Sequence, residues 1–475
     1  MKIHIPTIIQ GGMGAGVSSW RLARAVSRLG QLGVVSGTGL DQILVRRLQD
    51  GDLGGDIRRA LQAFPFPRLA QHILDAYFIP GGKKPEAPYT ITAMHTANDK
   101  QAAQALCIAG NFVEVYLARE GHANPVGINY LEKIQLPHLP SIYGAMLGGA
   151  AVIIMGAGIP VEVPGVLDAL AQHQATSYPL HVTGAIASDN FRMPFDPAAF
   201  QEPGTPPPAL RRPAFLPIVA SVTLATMLAR KSNGVVDGFI IEGPVAGGHN
   251  APPRGALKLA PDGAPVYGPR DVVDLAAMRA LGLPFWLAGG YGSPERYREA
   301  LAEGAAGIQV GTAFALCVES EIVPEIRKAL ILKALAGKAE IFTDPVASPT
   351  GYPFKVALLE KSLSEKPVYL ARRRVCDLGF LRELYRCPNG TIGYRCAAEQ
   401  TAAFVAKGGA LEDTVGRVCL CNSLVANVGM SQRLPDGTSE LCLITLGDDL
   451  TAVGRFCTLE HPDYSASDVI RILLG

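Results

Sequence analysis

Short apolar runs alternate with longer helix-like segments along most of the chain, from residue 7 to about residue 320. Runs that are apolar at nearly every position are typical of parallel strands buried on both faces. The pattern predicts strands at Thr7–Gln10, Gly33–Ser36, Tyr89–Met94, Val126–Tyr130, Ala151–Met155, Tyr178–Val182, Leu216–Ser221, Gly238–Glu242, Phe285–Ala288 and Gly307–Val310. It predicts helices from Ser18 or Ser19 through Arg28 and at Leu40–Asp50, Lys100–Arg119, Ser141–Leu147, Val166–His173, Leu224–Lys231, Val272–Leu281 and Pro294–Glu303. This repeated alternation indicates a parallel α/β architecture.

The number of strands and the position of the glycines favour a barrel. A TIM (β/α)8 barrel needs eight strands, and ten are predicted. The surplus, which includes Tyr89–Met94 or one strand of an insertion, is expected to lie outside the barrel. Glycine-rich segments follow both early and late strands, as a ring of loops around a barrel requires. We therefore predict a TIM barrel over residues 1–335, with a doubly wound sheet as the alternative.

Three stretches do not follow the alternation. Residues 51–88 and the proline-rich residues 188–213 are predicted to be insertions that project as loops or small lids. Residues 336–475 are predicted to be an irregular C-terminal extension, which is rich in cysteine from residue 376 onward.

Composition and charge exclude several classes of protein. Of the 475 residues, 48% are hydrophobic and 18% are charged, which excludes a disordered chain. The net charge is only +1, so a nucleic acid is not expected as the main partner. The most apolar stretch, Ala145–Ile159, is too short to span a bilayer. Because no targeting leader is evident and the number of cysteines is odd, we expect a cytoplasmic protein without a disulfide framework or a membrane partner.

Three late segments place glycines directly after predicted strands. Gly247 and Gly248 follow the strand that ends at Glu242, Ala288-Gly289-Gly290 ends the next strand, and Gln309-Val310-Gly311-Thr312 ends the last. Glycines let backbone N–H groups approach phosphate oxygens, and barrels often bind phosphate at the loops after strands seven and eight. The segments therefore predict a phosphate site, the alternative being that each glycine pair only makes a turn or a packing contact.

His249 is the candidate catalytic residue because it ends the first of these loops. An imidazole there can remove a proton from an acidic carbon of a substrate or stabilise an anion that has already formed. In the alternative interpretation, the histidine only braces the loop. Asn129 could contact a cofactor ring or a substrate through its amide, or it could be an ordinary turn residue at a strand end.

These segments together resemble the nitronate monooxygenase (2-nitropropane dioxygenase-like) flavoproteins. The opening segment, Pro6–Gly16, is similar to that family's opening, although Gly11-Gly12-Met13 stands where Ala-Pro-Met commonly lies against the flavin. Gly127-Ile128-Asn129 resembles the family's Gly-Val-Asn, and Ser348–Pro353 resembles its late loop near the active site. The resemblance covers about residues 5–355.

The resemblance implies a TIM barrel that holds FMN. The residues expected to contact the cofactor are Gly11, Gly12, Met13, Asn129, Gly247, Gly248, Ala288, Gly289, Gly290, Gln309, Gly311 and Thr312. The implied activity is oxidation of a nitronate or a related activated carbon acid, with electrons passing through the flavin to O₂.

Other functions remain open at this point. The Gly-Gly-Met-Gly-Ala-Gly opening looks closer to the trans-acting enoyl reductases of the same superfamily, which implies NAD(P)H and an unsaturated acyl thioester, with an acyl carrier protein as a partner. A flavin-free barrel for a phosphorylated metabolite and a non-enzymatic scaffold are further alternatives. A small-molecule substrate and a homo-oligomer are expected in either oxidoreductase interpretation.

The C-terminal extension carries a second candidate site. Cys376, Cys387, Cys396, Cys419 and Cys421 could bind a [4Fe–4S] cluster or zinc. Their spacing matches neither a zinc ribbon nor a ferredoxin, so reduced thiols and redox disulfides are the alternatives.

Overall fold

The computed structural model describes residues 4–98, 101–202 and 204–475. Lys100, the first residue of one predicted helix, lies outside this part, and the helix is described from Gln101 to Arg119. The other ends of the predicted helices before residue 320 agree with the structure to within a few residues.

Eight parallel strands form a closed barrel, which confirms the predicted fold. In chain order they are β1 Ile8–Gln10, β2 Gly33–Ser36, β3 Val126–Leu131, β4 Val152–Gly156, β5 Ala214–Val219, β6 Phe239–Glu242, β7 Phe285–Ala288 and β8 Gly307–Val310. From β2 onward each strand pairs in parallel with the next, and β8 pairs with β1. The ring closes between β1 and β2, where the Gln10 amide donates to the Leu32 carbonyl over 2.9 Å.

Alternate side chains of the strands pack both faces of the barrel wall. Inward-facing residues such as Ile9, Ile154 and Trp286 form an apolar core inside the ring. Their neighbours Ile8 and Ile153 face the surrounding helices and join the larger outer core. Both faces are therefore buried, which is why these strands are apolar at nearly every position.

Two of the ten predicted strands lie outside the barrel, as the surplus required, and the strand predicted at Tyr89–Met94 is wrong. Residues 89–94 form no strand, because their polar groups bond to a helix; the Thr90 amide, for example, donates to Gln49 Oε1 over 2.7 Å. In place of Tyr178–Val182 the chain forms Thr176–Pro179 and Val182–Thr183, which pair outside the barrel with Arg192–Phe195 and Glu383–Arg386.

The helices begin at residues that can cap them. Ser19, Ser221 and Ser293 each accept a hydrogen bond from a backbone amide of the first turn, and Pro294 then occupies the first helical position. The α-helices are Trp20–Arg28, Leu40–Gln49, Asp56–Gln62, Pro67–Tyr77, Gln101–Arg119, His138–Leu147, Val163–Ala171, Val222–Lys231, Leu275–Ala280, Pro294–Ala302, Thr312–Ala315, Pro324–Leu335, Lys366–Ala371, Thr401–Ala406, Leu420–Ala426 and Ala466–Leu474.

The first insertion is more ordered than projecting loops would be. Residues 51–88 contain two of these helices, and the ring of Phe64 between them packs 4.9 Å from the ring of Phe112. The second insertion contains the strand Arg192–Phe195 and a short 3₁₀ helix, Pro197–Phe200.

The C-terminal extension packs against the mouth of the barrel. Its strands Ile341–Asp344 and Phe354–Ala357 form one hairpin, and Glu383–Arg386 and Ile392–Arg395 form another. A 3₁₀ segment, Asp448–Arg455, lies next to the last barrel loops. In the described part of the chain, no helix has both the length and the apolarity that crossing a membrane requires.

Candidate active site

A cavity of about 220 Å³ opens at the C-terminal ends of the barrel strands. All the residues that the sequence predicts to contact the cofactor line it, and so does His249. Those residues are Gly11, Gly12, Met13, Asn129, Gly247, Gly248, Ala288, Gly289, Gly290, Gln309, Gly311 and Thr312. The C-terminal extension completes the wall with Phe354, Leu420, Cys421, Leu446 and Asp449, among others.

The glycine turns after β6 and β7 are shaped by close backbone approaches. Gly289 has a φ of +89°, and a Cβ there would lie 3.1 Å from the Gly243 carbonyl oxygen. A Cβ on Gly247 would lie 2.8 Å from the carbonyl carbon of Leu446. Side chains would therefore fill this wall or push the C-terminal extension away, so glycine keeps the backbone exposed to the cavity.

The end of the cavity near β7 and β8 holds both cationic and acidic groups. Arg296 and Arg455 line a small adjoining pocket together with Gly290 and Thr312. The Thr312 hydroxyl accepts a hydrogen bond from the Gly447 amide over 2.9 Å, so it ties the C-terminal extension to the barrel. Burial raises the pKa of Asp449 in the same pocket.

Asn129 presents an unused acceptor at the other side of the cavity. Its Nδ2 donates to the Gly12 carbonyl over 3.1 Å, while its buried Oδ1 has no hydrogen-bond partner. A Cβ on Gly12 would lie 2.6 Å from the Cβ of Asn129, so this position has no room for a side chain. An unpaired buried acceptor at one side of the cavity, with a glycine-rich backbone and two arginines at the other, fits a ligand that has a ring N–H donor and a phosphate, as FMN has.

His249 is held in one orientation by residues from a distant loop. Its Nε2 lies 2.7 Å from Ser348 Oγ, which lies 2.8 Å from Thr350 Oγ1. The ring of Phe354 packs edge-on against the imidazole at 4.9 Å. Burial and the nearby Lys133 lower the pKa of His249 to about 4, so the imidazole is neutral at pH 7.

Glu242 is a cavity residue that the sequence did not single out. It ends β6 and lines the same cavity as His249. Burial raises the pKa of Glu242 from its ordinary value of 4.5 to about 8, so the carboxyl group keeps its proton at neutral pH. A carboxyl group that ends an otherwise apolar strand was the signal available in the sequence.

The structure separates the predicted cysteine ligands into two places. Cys376 Sγ accepts a hydrogen bond from the Gly379 amide over 3.3 Å, Cys396 directly follows the strand Ile392–Arg395, and Cys421 lines the cavity. Cys387 lies instead in the turn of the hairpin that starts at Glu383, where its amide donates to the Thr391 carbonyl over 2.8 Å.

Comparisons with known proteins agree with the sequence motifs. Residues 212–350 match the family model described as nitronate monooxygenase. Among solved structures, FabK from Thermotoga maritima is 16% identical, with 99% of this chain and 91% of that chain covered and a TM-score of 0.47. A nitroalkane oxidase from Streptomyces ansochromogenes is 14% identical, with coverages of 98% and 94% and a TM-score of 0.48. No curated protein matches the chain. The predicted resemblance of this chain to the nitronate monooxygenase superfamily is therefore confirmed over the segment that carries His249 and the late glycine turns.

Proposed function

We propose that this chain is an FMN-dependent oxidoreductase that oxidises nitronates or related activated carbon acids. The observation that carries the proposal is the position of His249 in the same cavity as the glycine turns after β7 and β8. The segment that matches the nitronate monooxygenase family contains all of these residues.

Different residues around the cavity would bind the phosphate and the ring system of FMN. The backbone at Gly289, Gly290 and Gly311 would bind the phosphate, with Arg296 and Arg455 supplying positive charge close by. Asn129 Oδ1 would accept a hydrogen bond from the ring system. When bound, FMN supplies a site that accepts two electrons from a substrate carbon and passes them on.

His249 would act on the substrate as a hydrogen-bond donor. A neutral imidazole carries one N–H, and in the tautomer in which Nε2 accepts from Ser348 that proton lies on Nδ1, where it would face the substrate. A group with a pKa of about 4 is a weak base at pH 7, so we expect the preformed nitronate anion to be the substrate in preference to the neutral nitroalkane. The protonated Glu242 does not repel that anion.

One observation favours a second function, NAD(P)H-dependent reduction of an unsaturated acyl thioester. Reduction of a carbon–carbon double bond needs a proton as well as a hydride. Glu242 keeps its proton near neutral pH and lines the cavity, so it would be the proton donor. In this case an acyl carrier protein is the expected partner.

Anaerobic mixing separates the two functions. The full chain is loaded with FMN and mixed with propyl-2-nitronate or with NADPH, while the flavin absorbance is followed. We expect the nitronate to reduce the flavin rapidly. Rapid reduction by NADPH alone, followed by turnover of a crotonyl thioester, would favour the reductase, and failure to bind FMN would contradict both functions.

The role of His249 has its own test. His249→Ala should still bind FMN, because glycine turns and Asn129 form most of the site, and should lose about 100-fold or more in kcat/KM for the nitronate. The matched control is His461→Ala, which changes an exposed histidine of the C-terminal extension. Unchanged turnover in His249→Ala would rule out a catalytic role.

A further inference from the structure

Three side chains that can bind a metal meet between two helices of the barrel. Asp41 lies in the first turn of the helix Leu40–Gln49, and Cys107 lies in the helix Gln101–Arg119, which packs against it. His95 comes from the irregular segment that precedes the second helix. All three residues are more than nine-tenths buried. We call them the Asp-His-Cys cluster.

The polar atoms of this cluster are as close together as the ligands of one metal ion. His95 Nε2 lies 3.0 Å from Asp41 Oδ2 and 3.7 Å from Cys107 Sγ. The three ligand atoms all lie within 4.8 Å of one another. A nucleophile–histidine–acid triad would use one ring nitrogen for each partner. Here the same nitrogen faces both partners, which is the arrangement that one ion between the three groups requires.

We propose that Asp41, His95 and Cys107 bind a zinc ion. Zinc accepts carboxylate oxygen, imidazole nitrogen and thiolate sulfur as ligands in one tetrahedral site. Metal–ligand distances of about 2.0–2.3 Å place the nitrogen about 3.4 Å from the oxygen and about 3.6 Å from the sulfur. The distances in the structure are 3.0 and 3.7 Å, so small side-chain rotations are enough. On binding, zinc replaces the hydrogen bond between His95 and Asp41, and the Cys107 thiol releases its proton to solvent.

A small void next to Asp41 has room for a fourth ligand. The void has a volume of about 10 Å³, which is close to what one water molecule needs, and Asp41, Thr38 and His138 are among the residues that line it. In the part of the chain that the structure describes, Thr38 Oγ1 and His138 Nδ1 are buried without a hydrogen-bond partner. A water molecule there would complete the four ligands of zinc and would have polar groups beside it.

The zinc would support the wall of the main cavity from outside. Arg382 of the C-terminal extension donates a hydrogen bond to the His95 carbonyl, and the ring of Phe380 lies 6.0 Å from the imidazole. Phe380 also lines the main cavity, whereas the three proposed ligands do not. The proposal therefore concerns a structural site, and it does not depend on which cofactor or substrate the main cavity accepts.

The test measures metal binding by the full chain. The protein is treated with a chelator, dialysed against Zn²⁺ and analysed for bound metal. We expect about one zinc per chain and a higher melting temperature with zinc than without it. With Co²⁺ in place of zinc, we expect a thiolate-to-cobalt charge-transfer band, because Cys107 is a ligand.

Two cysteine variants locate the ion. Cys107→Ser should lose the cobalt band and most of the zinc. Cys317→Ser, the matched control at another fully buried cysteine, should keep both.

A second ligand variant keeps the test decisive if Cys107→Ser does not fold, as judged by circular dichroism. Asp41→Asn preserves the size of the side chain and removes its charge. We expect its affinity for zinc to fall by more than about 100-fold, because partners outside the ligand set already contribute about 10–100-fold. Unchanged affinity in this variant would remove Asp41 from the ligand set and overturn the proposal.

Two other outcomes overturn the proposal. If the wild type takes up neither zinc nor cobalt, the Asp-His-Cys cluster is a buried hydrogen-bonded group without a metal. If Cys107→Ser keeps its zinc while Cys376→Ser loses it, the ion belongs to the cysteines of the C-terminal extension. Because the readout is bound metal, either result is independent of whether the chain oxidises nitronates.

Discussion

Replacing Glu242 by glutamine keeps the shape of the side chain and removes its acid–base equilibrium. Burial raises the pKa of Glu242 from 4.5 to about 8, so at pH 7 the folded chain keeps a proton that the unfolded chain releases. One pH unit corresponds to about 1.36 kcal/mol. Keeping the proton from the ordinary pKa of 4.5 up to pH 7 therefore lowers the free energy of unfolding by about 3.4 kcal/mol. Because the side chain is half-buried and faces a cavity open to water, we expect the loss in the free energy of unfolding to be about 1–2 kcal/mol.

The sign of the pH dependence follows from proton binding. Between pH 4.5 and about pH 8 the unfolded chain binds fewer protons at this residue than the folded chain, so the wild type loses stability as the pH rises. Above about pH 8 both states are ionised and the loss levels off. Glu242→Gln should therefore match the wild type near pH 5 and be more stable by about 1–2 kcal/mol near pH 8.5.

Urea unfolding of the FMN-free chain at both pH values, followed by circular dichroism, measures this difference. The matched control is Glu460→Gln, which changes an exposed carboxylate and should follow the wild type. If Glu242→Gln gains no more stability near pH 8.5 than near pH 5, the raised pKa of Glu242 is wrong. The same gain in the control would show that the effect is one of overall charge.

Two further variants, each with a matched control, test the packing of the cavity wall and of a buried ion pair in the C-terminal extension. Gly247→Ala adds a Cβ 2.8 Å from the backbone of the C-terminal extension. We therefore expect weaker FMN binding in a fluorescence titration, and a free energy of unfolding that is lower by about 1–3 kcal/mol. Gly268→Ala, where nothing lies within 4 Å of the added Cβ, should change neither. Arg372→Met leaves Glu440 buried without its ion pair, so urea unfolding should show a loss of about 3–5 kcal/mol. Arg471→Met breaks an exposed ion pair, so its free energy of unfolding should fall by less than about 1 kcal/mol. If a variant and its matched control lost the same amount, the packing argument would be contradicted.

Much of the barrel could be predicted because its signals are local. The strands β2, β7 and β8 have the bounds that their apolar runs predict. The serine caps at Ser19 and Ser293 mark helix starts, because a side-chain oxygen there bonds to an amide within three residues.

The helical insertion and the role of the C-terminal extension were harder to predict. Prolines and glycines in residues 51–88 indicate loops, yet the ring of Phe64 packs against Phe112 and helices form on either side of it. The irregular pattern after residue 335 gave no sign that Leu446 would form part of the cavity wall, although the resemblance of Ser348–Pro353 to a late loop near the active site pointed to the neighbourhood of Phe354. Both results depend on contacts between segments that lie far apart in the sequence.

The sequence by itself determined the barrel, the glycine turns and the position of His249 at a strand end, because strand period and backbone freedom are properties of neighbouring residues. Only the tertiary structure decided which groups share the cavity and how they ionise. Ser348 reaches His249 across 99 residues and the Gly447 amide reaches Thr312 across 135. The pKa values of His249 and Glu242 follow from burial by such distant segments, and burial has no signature in the local order of residues.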